Sequence, residues 1–462
     1  MYVYPSYRQN RPIALMIVAA AAIIGALVTP ITLTQTTGAT VPAVPAVGAS
    51  PATQADPAAR AIAAQQHVSL AQAETRLSWQ QAVPSLNAAL SRQLSAATFG
   101  GIWIAPNDGD RVKVGVVSLA PRTRATATRA IRSAGLSAAA DLVQVRYSLR
   151  QLVLADGWLG TQLDKLSRLK TSAIHLSADY RTDLNRVQLF VAGHDLTPAE
   201  RALVASATSR YGNLIQVVAQ PAGSATDTSL DCTTLYDLCY PPLRGGIQIY
   251  IVNSQGQPQP GVCTGGFIAS SRIDGKLYEF TAGHCAAAAG TATWATEFPD
   301  GSQHLIGTVH HYIFSTSGDE AILNINNPTG WQLPQGWVYV QGGPNTTLNE
   351  EYPISSAQYS TQGARVCETG ASSGSICGTV AALGRTIYEC DSAGLCSWVG
   401  NLGEATFCGQ EGDSGAPVYA SHQAFGLVSA AGYDVSHGGC VTYYQGIVGA
   451  SNAMNVNIVL AH

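Results

Sequence analysis

Gly412-Asp413-Ser414-Gly415 sets a serine between glycines near the end of a 462-residue chain. Flanking glycines suit a tight turn on which the hydroxyl is exposed and two backbone amides converge. Far upstream, Thr281-Ala282-Gly283-His284-Cys285 puts a histidine beside a cysteine that a disulfide could pin. Between them, Gly318-Asp319-Glu320-Ala321-Ile322-Leu323 puts an aspartate at the mouth of an apolar strand. A hydroxyl becomes a nucleophile when a base takes its proton and a carboxylate orients that base, and the chain order His, Asp, Ser is one known solution. Each piece alone has a plainer reading. Asp-Ser-Gly is common turn chemistry, an Asp before an apolar run is ordinarily a solvated strand end, and His310 and His311 are rival histidines, though neither adjoins a cysteine. Their coincidence carries the reading.

The elements that must hold these residues are short and apolar. From about residue 241 onward, runs such as Ile247–Val252, Ala321–Ile325, Trp337–Val340 and Ala424–Val428 alternate with glycine-rich turns. That spacing predicts an all-β barrel or sandwich. All ten cysteines fall between Cys232 and Cys440. An even number confined to one segment predicts a disulfide framework formed outside the cytosol, although spacing does not fix the connectivity. Cys232 with Cys239 and Cys390 with Cys396 are each close enough to close a small local loop. No Cys-x-x-Cys pair occurs and the histidines lack zinc-finger spacing, so no metal is expected.

Residues 59–220 contain no cysteine and read as α+β. Ser69-Leu70-Ala71-Gln72 predicts a capping box opening a helix through Trp79, with a second helix carrying Leu86, Leu90 and Leu94. Ile102–Ile104, Pro106-Asn107-Asp108-Gly109 and the alternating Val112, Val114 and Val116 predict a hairpin. Strands are expected at 143–147, 187–191 and 215–218, and helices near 127–136 and 152–169. Thr197-Pro198-Ala199-Glu200 predicts a further capped helix. Scattered His67, His175 and His194 make no catalytic constellation. Ahead of this region, Arg8 and Arg11 precede the apolar run Ile13–Val28, and a Pro/Ala-rich stretch comes next. Residues 1–35 are expected to be a cleaved secretory signal, with a retained anchor extending through Ile31 and Leu33 as the alternative, and 36–58 a linker. Either predicts export of the rest of the chain.

Charge divides the chain. From Pro241 onward there are 5 Lys+Arg against 15 Asp+Glu, whereas 20 basic and 14 acidic residues precede that point. Two independently soluble modules, or two surfaces that attract each other, both fit this division. An acidic half that carries the candidate chemistry excludes a nucleic-acid role, because phosphates would repel it.

Residues 244–460 resemble the chymotrypsin-fold serine peptidases, specifically the bacterial streptogrisin and alpha-lytic protease group. Cys263-Thr264-Gly265-Gly266-Phe267 with Thr281–Cys285 is similar to the disulfide around that group's histidine loop. Cys367-Glu368-Thr369-Gly370 with Cys377-Gly378-Thr379-Val380 is similar to its second bridge, and Cys408 with Cys440 to its third. Leu243-Arg244-Gly245-Gly246-Ile247 resembles the mature start. Val145–Leu149 and Arg186–Val191 resemble, less closely, the group's prosegment. The resemblance implies a mainly β, two-barrel catalytic domain over 244–462, an α+β prosegment over 59–220, and a processing linker over 221–243. It implies that Ser414 is the nucleophile, His284 the base, Asp319 the orienting carboxylate, and the amides of Gly412 and Ser414 the oxyanion hole. Ser429, Ala430 and Ala431 would pair with the substrate backbone. No cofactor is implied. The partners would be protein or peptide substrates and the chain's own prosegment, with membrane contact only through a retained leader.

Two departures stand out. Ala416 replaces a second glycine after Gly415. Glu368 stands where the group commonly has an arginine that pairs with the buried aspartate, here Asp413. Arg365, Arg385 or a newly cut N-terminal amine are the candidate substitutes. Were none to neutralise Asp413, the alternative is a weak or inactive scaffold that binds peptides. The segments expected to line the specificity pocket (Thr406-Phe407, Ala430-Ala431, Val441-Thr442) hold no acid, which implies cleavage after uncharged residues.

Overall fold

A computed structural model describes residues 56–167, 176–192, 196–220, 239, 241–298, 301–341, 349–390, 394, 396–434 and 439–461. The expected leader, most of the two linkers, and Cys232 lie outside these residues.

The N-terminal region follows its sequence signals closely. Ser69 caps the helix Leu70–Gln93 in a capping box with Gln72, and Thr197 with Glu200 does the same for Pro198–Tyr211. The two helices expected between Ser69 and Leu94 are one 24-residue helix with Pro84 inside it. Pro84 deletes one backbone hydrogen bond. Ala73, Leu77, Gln80, Val83, Leu86 and Leu90 nevertheless form a single buried stripe at three- and four-residue spacing, and its burial holds the helix together across the proline. The hairpin pairs Phe99–Ala105 with Arg111–Val116 through a left-handed Gly109. The next strand is Ala140–Gln144, parallel to Arg111–Val116, so Arg146 and Tyr147 lie beyond it. There, Asn185 Oδ1 accepts from both their amides.

The C-terminal region is built from two large antiparallel arrays and a separate pair, Trp337–Gln341 with Asn349–Pro353. One orders its strands as Val456–Ile458, Ile268–Ser271, Leu277–Thr281, Gly318–Asn324, Gln303–Ser315, Thr293–Glu297, Gln248–Val252 and Pro258–Thr264. In the other, Arg365–Gly370, Pro417–Ala420, Gln423–Asp434, Gly439–Gly446, Cys396–Ala405 and Gly374–Cys390 come in turn, and the first also pairs with the last. Six strands therefore close on themselves. Every residue of Arg365–Gly370 and Pro417–Ala420 is buried. Pro417–Ala420 is apolar to match, whereas Arg365–Gly370 carries Arg365, Glu368 and Thr369 into the interior with it. The chain as described is mainly β.

The closed sheet does not end at its own edge. Leu176–Arg181 pairs with Gly374–Cys390, matching Tyr180 to Leu383 and Ala178 to Thr386, and brings Arg186–Ala192 and Ile215–Gln220 with it. The N-terminal region thus extends a sheet of the C-terminal one. A second set of contacts joins them: Gln80 brackets the backbone of Arg365 on both sides, at 2.7 and 2.6 Å. Arg365 itself pairs with Asp110 at 2.9 Å. Bridges join Cys263–Cys285, Cys367–Cys377, Cys390–Cys396 and Cys408–Cys440.

Candidate active site

Two glycines let distant strands meet at the histidine and at the serine. His284 lies on the short helix Gly283–Ala289. A Cβ at Gly283 would collide with the carbonyl of Ile313 and come within 2.9 Å of Asp319 Oδ1. Only glycine allows that approach, and it sets the His284 amide 2.7 Å from Asp319 Oδ1. The carboxylate's other oxygen, Oδ2, is 2.9 Å from His284 Nδ1. Asp319 comes from the wholly buried start of Gly318–Asn324, so it is dry and held by its own strand pairing, not a solvated strand end.

Ser414 sits half-buried on its turn. Gly412 and Gly415 have φ of 99° and 90°, in the left-handed region that favours glycine. A Cβ on Gly415 would strike the Thr281 hydroxyl and the Thr264 carbonyl. The turn is fastened to the other array: Thr264 N donates to Ser414 O at 2.7 Å, and Thr264 Oγ1 to Gly412 O at 2.7 Å. The Cys263–Cys285 bridge links this strand to the histidine helix. One sulfur, Cys285 Sγ, lies 3.7 Å from His284 Nε2 and 3.9 Å from Ser414 O. Cys285 Sγ thus lies beside both the histidine's far nitrogen and the backbone of the serine turn, while the near nitrogen is tied to Asp319.

The remaining expected residues fall in two groups. Ala430 and Ala431 are half-exposed on Gln423–Asp434, where they pair with Tyr443 and Thr442. Ser429 differs from them. It occupies the register break between Val428 and Ala430, and its buried hydroxyl donates to Asp319 Oδ2 at 2.8 Å. That side chain serves the carboxylate. Sequence reading also missed Glu389, whose Oε1 is 3.2 Å from His284 Nδ1. His284, Asp319 and Glu389 bring potential metal-ligating atoms within 4.8 Å of one another, and at these separations hydrogen bonds account for the cluster. The one sequence mark on Glu389 is its place directly before Cys390.

Neither arginine neutralises Asp413. Arg365 is bound to Asp110, and Arg385 is ringed by Asp179, Asp434 and Glu404 at 3.0, 2.9 and 3.2 Å. Hydrogen bonds serve instead. Asp413 accepts from the amides of Gln410, Ser372 and Ser373 at 2.7, 2.8 and 3.0 Å, and from the Ser373 hydroxyl at 2.5 Å. Burial pushes its pKa up, and those four donors pull it back down. A Cβ on Gly370 would overlap the carboxylate, so glycine there admits Asp413 to the donors. Glu368 is buried with neither oxygen hydrogen-bonded. Burial, and then Asp413, push its pKa well above the usual carboxylate range.

No family model matches the chain. Over 197 residues it is 27% identical to streptogrisin-A of Streptomyces griseus, which covers 43% of this chain and 57% of that protein. It is 28% identical to serine protease 2 of Streptomyces fradiae over 197 residues, covering 43% of this chain and 99% of the relative. Among solved structures, a glutamic acid specific serine protease is 25% identical at a TM-score of 0.37, covering 47% of this chain and all of that one. Thermobifida fusca protease A is 23% identical at a TM-score of 0.36, covering 47% of this chain and 98% of that one. Over somewhat less than half its length, this chain resembles the chymotrypsin-fold serine peptidases of the streptogrisin and alpha-lytic protease group.

Proposed function

We propose that the chain is an exported serine endopeptidase made as a zymogen, with a two-barrel catalytic domain over 244–462. The observation that carries this reading is the buried His284–Asp319 pair, 2.9 Å apart, with Cys285 Sγ 3.7 Å from the histidine's far nitrogen and 3.9 Å from the Ser414 carbonyl. Ser414 Oγ attacks the scissile carbonyl as its proton passes to His284 Nε2. The imidazolium then returns that proton to the leaving amine, which leaves an acyl-enzyme that water cleaves by the same steps in reverse. Catalytic hydrogen bonds are often long before substrate binds and tighten in the complex. The amides of Gly412 and Ser414, which meet no acceptor among the described residues, serve the oxyanion.

Cleavage falls after uncharged residues. The Thr442 hydroxyl accepts from Gly409 N at 2.8 Å and donates to Phe407 O at 3.0 Å, so it is committed to the pocket wall. A Cβ on Gly409 would lie 3.2 Å from Glu368 Oε1, which puts one acid behind that wall. Burial disfavours its ionised form, which weighs against a charge there that would select Lys or Arg.

Residues 59–220 act as the prosegment, and processing falls within 221–243. The shared sheet and the basic-to-acidic charge split support an intramolecular partner that assists folding and then inhibits. Among the described residues no helix is long and apolar enough to cross a membrane.

Labelling with a fluorophosphonate tests the reading. Ser414 is expected to be modified, with labelling abolished in Ser414→Ala and reduced at least ~1000-fold in His284→Ala, the scale on which loss of a triad member acts. A folded wild-type chain that resists labelling before and after removal of residues 59–220 leaves only the peptide-binding scaffold.

A further inference from the structure

Glu389 is the penultimate residue of the strand Gly374–Cys390, directly before the Cys390–Cys396 bridge that closes its hairpin. That hairpin leans over the imidazole. The Ser397 hydroxyl donates to Phe314 O at 3.2 Å, and the Phe314 ring lies 5.8 Å from that of His284. Glu389 is thereby carried into the site with its side chain 8% exposed.

Two carboxylates there share two donors. Asp319 Oδ2 is 2.9 Å from His284 Nδ1 and 2.8 Å from Ser429 Oγ. Glu389 Oε1 is 3.2 Å from the same nitrogen, and its Oε2 is 3.0 Å from the same hydroxyl. The nitrogen and the hydroxyl carry one hydrogen each, so neither donor can fully satisfy both acids. Acids this close, out of water, resist carrying two negative charges unless a positive charge sits between them.

The cations of the described catalytic region are engaged elsewhere. Arg244 is held by Glu351, Arg272 by Asn457, Lys276 by Asp274, Arg365 by Asp110, and Arg385 by its own acidic ring. Asp319 and Glu389 bring carboxylates to the imidazole, and the adjoining strand Gln303–Ser315 carries His304, His310, His311 and Tyr312, with His310 packed on Tyr278. Glu320 stands behind Asp319, buried. Once protonated, the imidazole places a positive charge within reach of both acids.

We infer that Glu389 is a positioning residue acting through His284: with Asp319 it forms a two-carboxylate clamp that stabilises the imidazolium. This rests on the peptidase reading for its use in catalysis, though not for its electrostatics. A second acid favours the protonated ring, so it raises the pH at which His284 becomes a free base. It also steadies the charge that develops while His284 holds the serine's proton.

The test is a pH titration of the full-length chain carrying 15N-labelled histidine, comparing wild type with Glu389→Gln, which keeps the shape and removes the charge. The His284 midpoint is expected to fall by about one pH unit, a tenfold change in its proton affinity. The pH midpoint of fluorophosphonate labelling should move down with it, with a slower plateau. An unchanged His284 midpoint overturns the clamp. Should Glu389→Gln not fold, Ser429→Ala removes the hydrogen the two acids share and is expected to raise the midpoint; no rise overturns the clamp equally. A midpoint that shifts in Glu389→Gln while wild type never labels would defeat the peptidase reading and leave the clamp standing. Labelling at an unmoved midpoint would do the reverse.

Discussion

Residue by residue, this site depends on what is missing as much as on what is present. Gly283 is the sharpest case, since its absent side chain is the space in which Asp319 meets the His284 backbone. Gly283→Ala would push the helix off Ile313 and break both contacts to the carboxylate. We expect a fall in labelling rate of at least ~100-fold, the scale on which a small misplacement of catalytic groups acts, with Asp319 left buried and dependent on the Ser429 hydroxyl. An alanine variant that labels as fast as wild type would show the approach is not required. Glu368 makes the opposite point, a polar group present without hydrogen-bond partners. Replacing it by Gln removes an ionisable group from a dry site and leaves the Asp413 donors in place. Its raised pKa means that the unfolded chain gains stability relative to the folded one once pH exceeds the ordinary carboxylate range. Glu368→Gln is therefore expected to unfold at a higher temperature than wild type under mildly alkaline conditions and at about the same temperature in acid, as read by calorimetry.

Individual elements are tied by a few polar contacts that join regions far apart in the chain. Gln80 on its long helix supplies both a donor and an acceptor to the backbone of Arg365. Truncating it to Ala leaves two buried backbone groups unsatisfied, at a cost of about 1–3 kcal/mol each, measurable by denaturant unfolding. Arg385 has greater consequences. It joins Asp179 of the N-terminal strand to Asp434 and Glu404 of the closed sheet, and lies 4.2 Å over the Phe190 ring. Removing it strands several buried acids, and losing one partner of a buried ion pair typically costs about 3–5 kcal/mol. Arg385→Met should therefore expose the Leu176–Arg181 edge to limited proteolysis before the rest of the molecule, and resistance equal to wild type would deny the arginine that role.

For the whole molecule, the number of buried acids sets the response to pH. Burial pushes Glu279 and Glu320 up to about 8 and Asp179 up to about 7, and Glu368 well above its ordinary value. Each is raised relative to the unfolded chain, so the folded state binds more protons between the two values. The stability these groups contribute is complete below about pH 4 and is lost as pH rises through about 7 to 8. The slope is roughly 1.4 kcal/mol per pH unit for each group within its window. We expect the guanidinium midpoint to fall steadily from about pH 5 to about pH 9, and Glu279→Gln to flatten part of that fall; a midpoint constant over this range would contradict it.

The chemistry-bearing motifs, the β-rich half, the capped helices and the separation of charge were all legible in the sequence. These are local properties, since turn residues, caps and periodicity act over a few positions. Local signals split one helix into two near Pro84, where a continuous apolar stripe in fact outweighs the proline. Four features emerged only once the chain was folded: Ser429 serves Asp319, hydrogen bonds compensate Asp413, Arg385 belongs to the joint with the N-terminal strands, and Glu389 reaches His284. Most of these are contacts between side chains tens to hundreds of positions apart. No spacing rule reports such meetings, because packing of the two arrays and the N-terminal layer brings them about.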